Sequence, residues 1–152
     1  MKFVVYREKI IISSLIACSC TFVACTSMPT ADQQAKNVSL LQNTNWVLTH
    51  IGAVEYKPNP NTRNVPTIQF NPDLVVRGSD GCNRLAGVYA IKGEHITLSQ
   101  LGSTRMYCEE TAQLAQQYSE ALGKVKGYQV YDKTLKLLDQ HGNRVLQYSA
   151  QQ

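Results

Sequence analysis

From Leu41 onward, short runs of β-forming residues alternate with turn residues at intervals of about ten, and one segment alone breaks that rhythm. Residues 46–51 (WVLTHI) read as a first strand. Residues 54–66 hold Pro58 and Pro60 with Asn59, Asn61 and Asn64, so they read as loop. Residues 67–70 alternate apolar and polar, and Asn71-Pro72-Asp73 turns the chain into a strand over 74–78. Strands over 86–91 and 95–101, joined by Lys92-Gly93-Glu94, suit a hairpin. Strands over 128–131, 134–138 and 145–148 close the chain as a meander, with turns at Asp132-Lys133 and at 139–143.

The exception lies between Glu109 and Lys126. There Leu114, Ala115, Tyr118, Ala121, Leu122 and Val125 fall on one stripe at helical period. Glu109 and Glu110 stand at its start and Lys124 and Lys126 at its end, the polarity a helix dipole favours. An apolar stripe must cover something, and the open face of a curved antiparallel sheet is the natural partner. The expected fold is therefore α+β: a β-rich curved antiparallel sheet packed against one main helix.

The first residues read as an address. Lys2, Arg7 and Lys9 precede an apolar run over 10–23, which closes on Ala24-Cys25. That is the basic, apolar and small-residue order of a secretory signal. The segment FVAC (22–25) resembles the bacterial lipobox, whose cysteine is alkylated with diacylglycerol, exposed by cleavage and acylated on its new amino group. LIAC (15–18) matches locally but leaves a shorter apolar run ahead of it, so Cys25 is the expected lipid site and Cys18 the alternative. A retained spanning helix needs about 20 apolar residues; residues 10–23 are fewer and include Ser13, Ser14, Ser19 and Thr21. Thr26 and Ser27, rather than Asp, follow Cys25, which points to the outer membrane facing the periplasm. Residues 1–24 are thus expected to be a lipoprotein signal, 25–42 a flexible lipid-anchored tether without helical or strand period, and 43–150 the folded domain.

Without residues 1–24 the chain keeps twelve Lys/Arg against ten Asp/Glu. So mild and scattered a balance argues against nucleic acid, which draws a dense basic stripe. Cys82 and Cys108 are the cysteines left once the leader is set aside. In an exported protein such a pair is expected to bridge, fastening the helix entrance to the sheet; two buried thiols and a redox or metal role are the alternatives. Closing a loop of that length stabilises by about 3 kcal/mol in the chain-entropy model. His50, His95 and His141 do not cluster, so no metal site or cofactor is expected. Ser79-Asp80-Gly81 lacks the G-x-S-x-G elbow and its parallel α/β surroundings, and Glu109-Glu110 are helix-start residues rather than a catalytic pair. No catalytic residue is expected.

Four segments carry a family resemblance. LLQNTNWVL (40–48) contains Trp46; GSDGCNRLAGVY (78–89) contains Gly81, Cys82, Asn83, Gly87 and Tyr89; GSTRMYC (102–108) contains Thr104, Met106 and Cys108; and LKLLDQHGNRVLQY (135–148) closes the domain. In this order they resemble the META domain family, which includes small HslJ-type heat-inducible bacterial lipoproteins. Relatives often carry Glu near the middle of the helix, where Ala115 stands here. The resemblance implies a curved sheet or partial barrel on one helix, no enzymatic activity, and loose links to heat response, novobiocin tolerance, secretion and virulence. Structural roles are the expected reason for the signature: Gly81 permitting a backbone turn forbidden to other residues, Cys82 holding the bridge, Asn83 bonding the backbone of its own turn, and Thr104 preparing the helix entrance.

Two functions from different classes follow. The first is a lipid-anchored envelope binding or stress-accessory module, with a cleft between helix and concave sheet face that takes a segment of an envelope protein. The second is a small inhibitor or chaperone-like factor acting on exported proteins through loops such as 54–66.

Overall fold

The computed structural model describes residues 30–58 and 64–151. The expected signal segment, Cys18 and Cys25 therefore lie outside the described residues. The order of elements is helix α1 (Ala31–Leu41), strands β1 (Trp46–Ile51), β2 (Val54–Glu55), β3 (Thr67–Phe70), β4 (Val75–Ser79), β5 (Arg84–Lys92) and β6 (His95–Ser103), a 3-10 turn (Glu109–Thr111), helix α2 (Ala112–Gly123), and strands β7 (Gly127–Tyr131), β8 (Thr134–Leu138) and β9 (Arg144–Ala150). The expected strands and main helix stand within a few residues of where the periodicity puts them. The fold is α+β, as expected.

The strands form one antiparallel sheet in the order β2-β1-β3-β4-β5-β6-β7-β8-β9, and β9 pairs back onto β1. Between β6 and β7 a single pair, His95 with Gly127, joins the two halves. Here the chain leaves the sheet to form α2, so the curl stays a partial barrel and does not close. Alternation is what curls it around a core: Trp46 and Leu48 on β1, Tyr128 and Val130 on β7, Leu135 and Leu137 on β8, and Leu146 and Tyr148 on β9 all point inward and are buried. Tyr118, Ala121, Leu122 and Val125 press the α2 stripe onto that face. Burying each such side chain is worth about 1.5–3 kcal/mol.

One expectation fails. Residues 31–41 are not tether but helix. Ala31, Ala35, Val38 and Leu41 follow one another at helical intervals, and Thr30 caps the start by accepting from Gln33 N–H at 3.3 Å. Leu41 is fully buried, its carbonyl accepts the Trp46 indole N–H at 3.0 Å, and Gln42 donates to the Tyr89 hydroxyl at 2.8 Å. The domain therefore begins at α1. Stripes made largely of alanine carry little hydrophobic signal, and this helix is secured by residues distant in sequence.

Two close approaches shape the sheet. A Cβ on Gly78 would lie 2.2 Å from the Thr67 carbonyl oxygen, so β3 and β4 approach too closely for any side chain there. A Cβ on Gly87 would come within 2.9 Å of the Ser99 carbonyl oxygen, where β6 bulges against β5.

Candidate functional site

The signature residues are brought together at one end of the sheet, where β4 hands over to β5 and β6 runs out toward α2. Ser79 and Asp80 build the turn. The Ser79 hydroxyl accepts from Gly81 N–H at 3.1 Å, which occupies it as a turn former. Asp80, 4% exposed, accepts from the backbone N–H groups of Cys82 (2.8 Å) and Asn83 (2.5 Å) and from the Asn83 side-chain amide (3.2 Å). A carboxylate so deeply placed needs donors of this kind. Gly81 has φ +91°, a region L side chains rarely adopt, and a Cβ there would also press on the Asn64 carbonyl at 3.1 Å.

The Asn83 side chain does not bond the backbone of its own turn; within the turn its amide meets only the Asp80 carboxylate. The Asn83 side-chain oxygen reaches across to Met106 N–H at 2.8 Å and to the Thr104 hydroxyl at 3.2 Å, and Asp80 does the local turn bonding instead. Thr104 likewise bonds backward, accepting from Arg84 N–H at 3.1 Å, so it ties β6 to β5 and leaves the helix entrance alone. That entrance is held by the Cys82–Cys108 disulfide, with Cα atoms 5.9 Å apart. Asp80, Asn83, Thr104 and the bridge thus clamp the loop that exposes Met106 (56%) and Tyr107 (88%). The other signature residues serve elsewhere: Trp46 and Tyr89 hold α1, and the Tyr89 ring packs edge-on against Phe70 at 5.1 Å. The Tyr89 hydroxyl also donates to the Asn71 carbonyl at 2.7 Å.

Beneath the clamp, Tyr148 donates to the Tyr118 hydroxyl at 3.0 Å inside the core. Burial pushes both phenols above their ordinary range; for Tyr118 the Tyr148 bond opposes the rise and the Asp80 carboxylate adds to it. Neither the burial of Asp80 nor the bond between these tyrosines is written in the sequence. An Asp beside a turn glycine and two aromatics on separate periodic stripes have no local signal of contact.

A second feature lies on the flank of α2. The concave face itself is filled by Tyr118, Leu122 and Val125, so the expected cleft is displaced outward. A groove of about 460 Å³ runs between α2 and the β1–β2 turn, floored by Ile51, Tyr56, Leu114, Ala121 and Val145 and rimmed by Glu55, Glu120, Lys124 and Arg144. Arg144 is pinned there, donating to the Gly52 carbonyl at 3.1 Å and to Gln147 at 2.7 Å. Val54 beside it is 72% exposed. Among the described residues no group of three or more His, Cys, Asp or Glu converges as a metal site, and no helix is long and apolar enough to cross a membrane.

No curated protein matches the chain. Among solved structures it is similar to an NMR structure of a protein from Burkholderia xenovorans, with 27% identity over 74% of this chain and 85% of the other and a TM-score of 0.60. It is similar to a second protein solved by NMR, with 26% identity over 73% and 92% and a TM-score of 0.57. The crystal structure of a DUF4847 family protein from Bacteroides vulgatus shares the fold at 15% identity, with a TM-score of 0.55 over 73% and 94%. The META domain model matches residues 39–152, which take in the clamp, both Trp46 and Tyr89 anchors and the groove, and this chain therefore belongs to the META domain family.

Proposed function

We propose that the protein is a non-enzymatic, lipid-anchored module of the bacterial envelope that holds an apolar segment of another envelope protein. The carrying observation is the groove beside α2: its floor is apolar, charges stand only at the rim, and the exposed Val54 extends it. A floor of aliphatic and aromatic side chains between charges of both signs suits an amphipathic segment. The anchor rests on the signal segment and Cys25, with Cys18 as the alternative cysteine. An outer-membrane address and a part in heat or antibiotic tolerance rest on Thr26-Ser27 and on the family resemblance. Cross-linking tests this reading. A photoreactive amino acid in place of Val54 or Glu120, in the full lipidated chain in its own membrane, should yield a discrete adduct, and one in place of Gln129 should not. Adducts at none of the groove positions would refute the docking role.

A second reading, the inhibitor or chaperone-like factor, is favoured by the clamped loop with Met106 and Tyr107 exposed rather than by residues 54–66. An adduct confined to position 107 would select it.

A further inference from the structure

Five residue steps separate Cys25 from Thr30, the cap of α1. Even fully extended, five steps span at most about 18 Å. Had the tether run to Gln42, the same arithmetic would allow about 60 Å. The difference matters because α1 cannot swing free: Leu41 is fully buried and the Trp46 and Tyr89 bonds hold its last turn. A short link to a rigid body restricts which end of that body faces the anchor.

That end is defined by contacts. A Cβ on Gly93 would lie 3.3 Å from the Gln34 side-chain amide, so the first turns of α1 run beside the β5–β6 turn. Tyr128 N–H donates to the Glu94 carbonyl at 3.0 Å, and Ile96 N–H to the Lys126 carbonyl at 3.1 Å, which brings the start of β7 to the same end. Lys92 and Glu94 flank the turn itself, and Asp32 and Lys36 on α1 and Lys126 just before β7 are exposed as well, so the faces beside it are polar. The groove between α1 and β5, with exposed Leu74, Ala31 and Ala35, lies along this flank. The clamped Tyr107 loop adjoins the opposite end of β5. Eight residue steps from Arg84 to Lys92 place the two ends about 26 Å apart.

We infer that the protein sits on its membrane in one orientation, with the first turns of α1 and the β5–β6 turn against the phospholipid headgroups and the Met106–Tyr107 loop directed away. The inference rests on lipidation at Cys25.

The experiment uses the full lipidated protein in vesicles of phosphatidylethanolamine and phosphatidylglycerol carrying spin-labelled headgroups. A fluorescent amino acid stands in place of Lys92 in one sample and of Tyr107 in another. Quenching at position 92 should exceed that at 107 several-fold, and should persist at high salt because the short link, not charge, imposes it. Equal quenching, or the reverse order, overturns the orientation. Inserting ten Gly/Ser residues between Ser27 and Met28 should reduce the difference between the two sites. Intact mass of the same samples separates the failures. An acylated chain beginning at Cys25 with equal quenching sinks the orientation alone. An acylated chain beginning at Cys18 leaves the anchor standing but, with twelve residue steps to Thr30, removes the short link and the orientation with it; a chain without acyl mass that fails to float with vesicles sinks the anchor reading as well.

Discussion

The Asn83 side-chain oxygen accepts from the Met106 backbone N–H at 2.8 Å, joining residues 23 positions apart and closing the clamp over the disulfide. Asn83→Ala would strip partners from Met106 N–H and from the Thr104 hydroxyl. Leaving such groups unsatisfied costs about 1–3 kcal/mol each when buried, and less where water reaches them, as at this exposed loop. The expected loss is therefore about 1–2 kcal/mol in urea unfolding of the oxidised domain. Asn83→Asp should cost more, since it sets a second carboxylate against Asp80. A loss below about 0.3 kcal/mol for Asn83→Ala would mean that the bridge orders this loop unaided.

The Cys82–Cys108 bridge spans 26 residues. Cys82→Ser with Cys108→Ser should lower stability by about 3 kcal/mol in the chain-entropy model. Hydrogen exchange should accelerate first in residues 103–111, because β7–β9 are held by their own ladders. Uniform acceleration across the sheet would show instead that the bridge supports the whole core.

Gly78→Ala tests the close approach of β3 and β4. With a Cβ 2.2 Å from the Thr67 carbonyl oxygen, the pair must move apart, and the expected cost is about 3 kcal/mol or more. Gly102→Ala is the control, since a Cβ there meets nothing within 4 Å. Similar stability for the two variants, read from urea midpoints, would contradict the packing described.

Alkaline pH should unfold the protein by way of its core phenols. Tyr118 and Tyr148 have folded pKa values raised above 10 by burial, so above pH 10 the unfolded chain releases protons that the folded chain retains. Their stabilising contribution is complete below about pH 10 and is lost as pH rises toward the folded values. Tyr118→Phe should flatten that alkaline limb while lowering stability at pH 8, because Tyr148 loses its acceptor. Urea midpoints from pH 8 to 11 on the Cys82→Ser, Cys108→Ser background avoid disulfide exchange. An unchanged limb would place the titrating groups elsewhere. At the acid end the sign reverses: the Asn143 side-chain amide holds the Asp139 carboxyl below its usual range, so its contribution is present at neutral pH and lost as pH falls through the folded value.

Leu41→Ala should cost about 2–5 kcal/mol, the range for a large side chain removed from a closed core. A chain beginning at residue 43 should lose that burial together with the Trp46 and Tyr89 bonds to α1. If thermal unfolding shows it as stable as one beginning at residue 26, the helix is an appendage.

The sequence by itself determined the strands of the meander, the β5–β6 hairpin and the α2 stripe. Each is written in a period of two or 3.6 over a few neighbouring residues, and burial of one face makes that period the folded arrangement. It also marked the two cysteines that pair. Only the tertiary structure decided that residues 31–41 are helix, because their alanine-rich stripe is too weak to hold alone and depends on Trp46 and Tyr89. The same holds for the partners of Asn83 and Thr104, the burial of Asp80, the Tyr118–Tyr148 bond and the groove displaced to the flank of α2. Each joins residues on different strands or helices, and such contacts follow from how the sheet curls, which no local periodicity encodes.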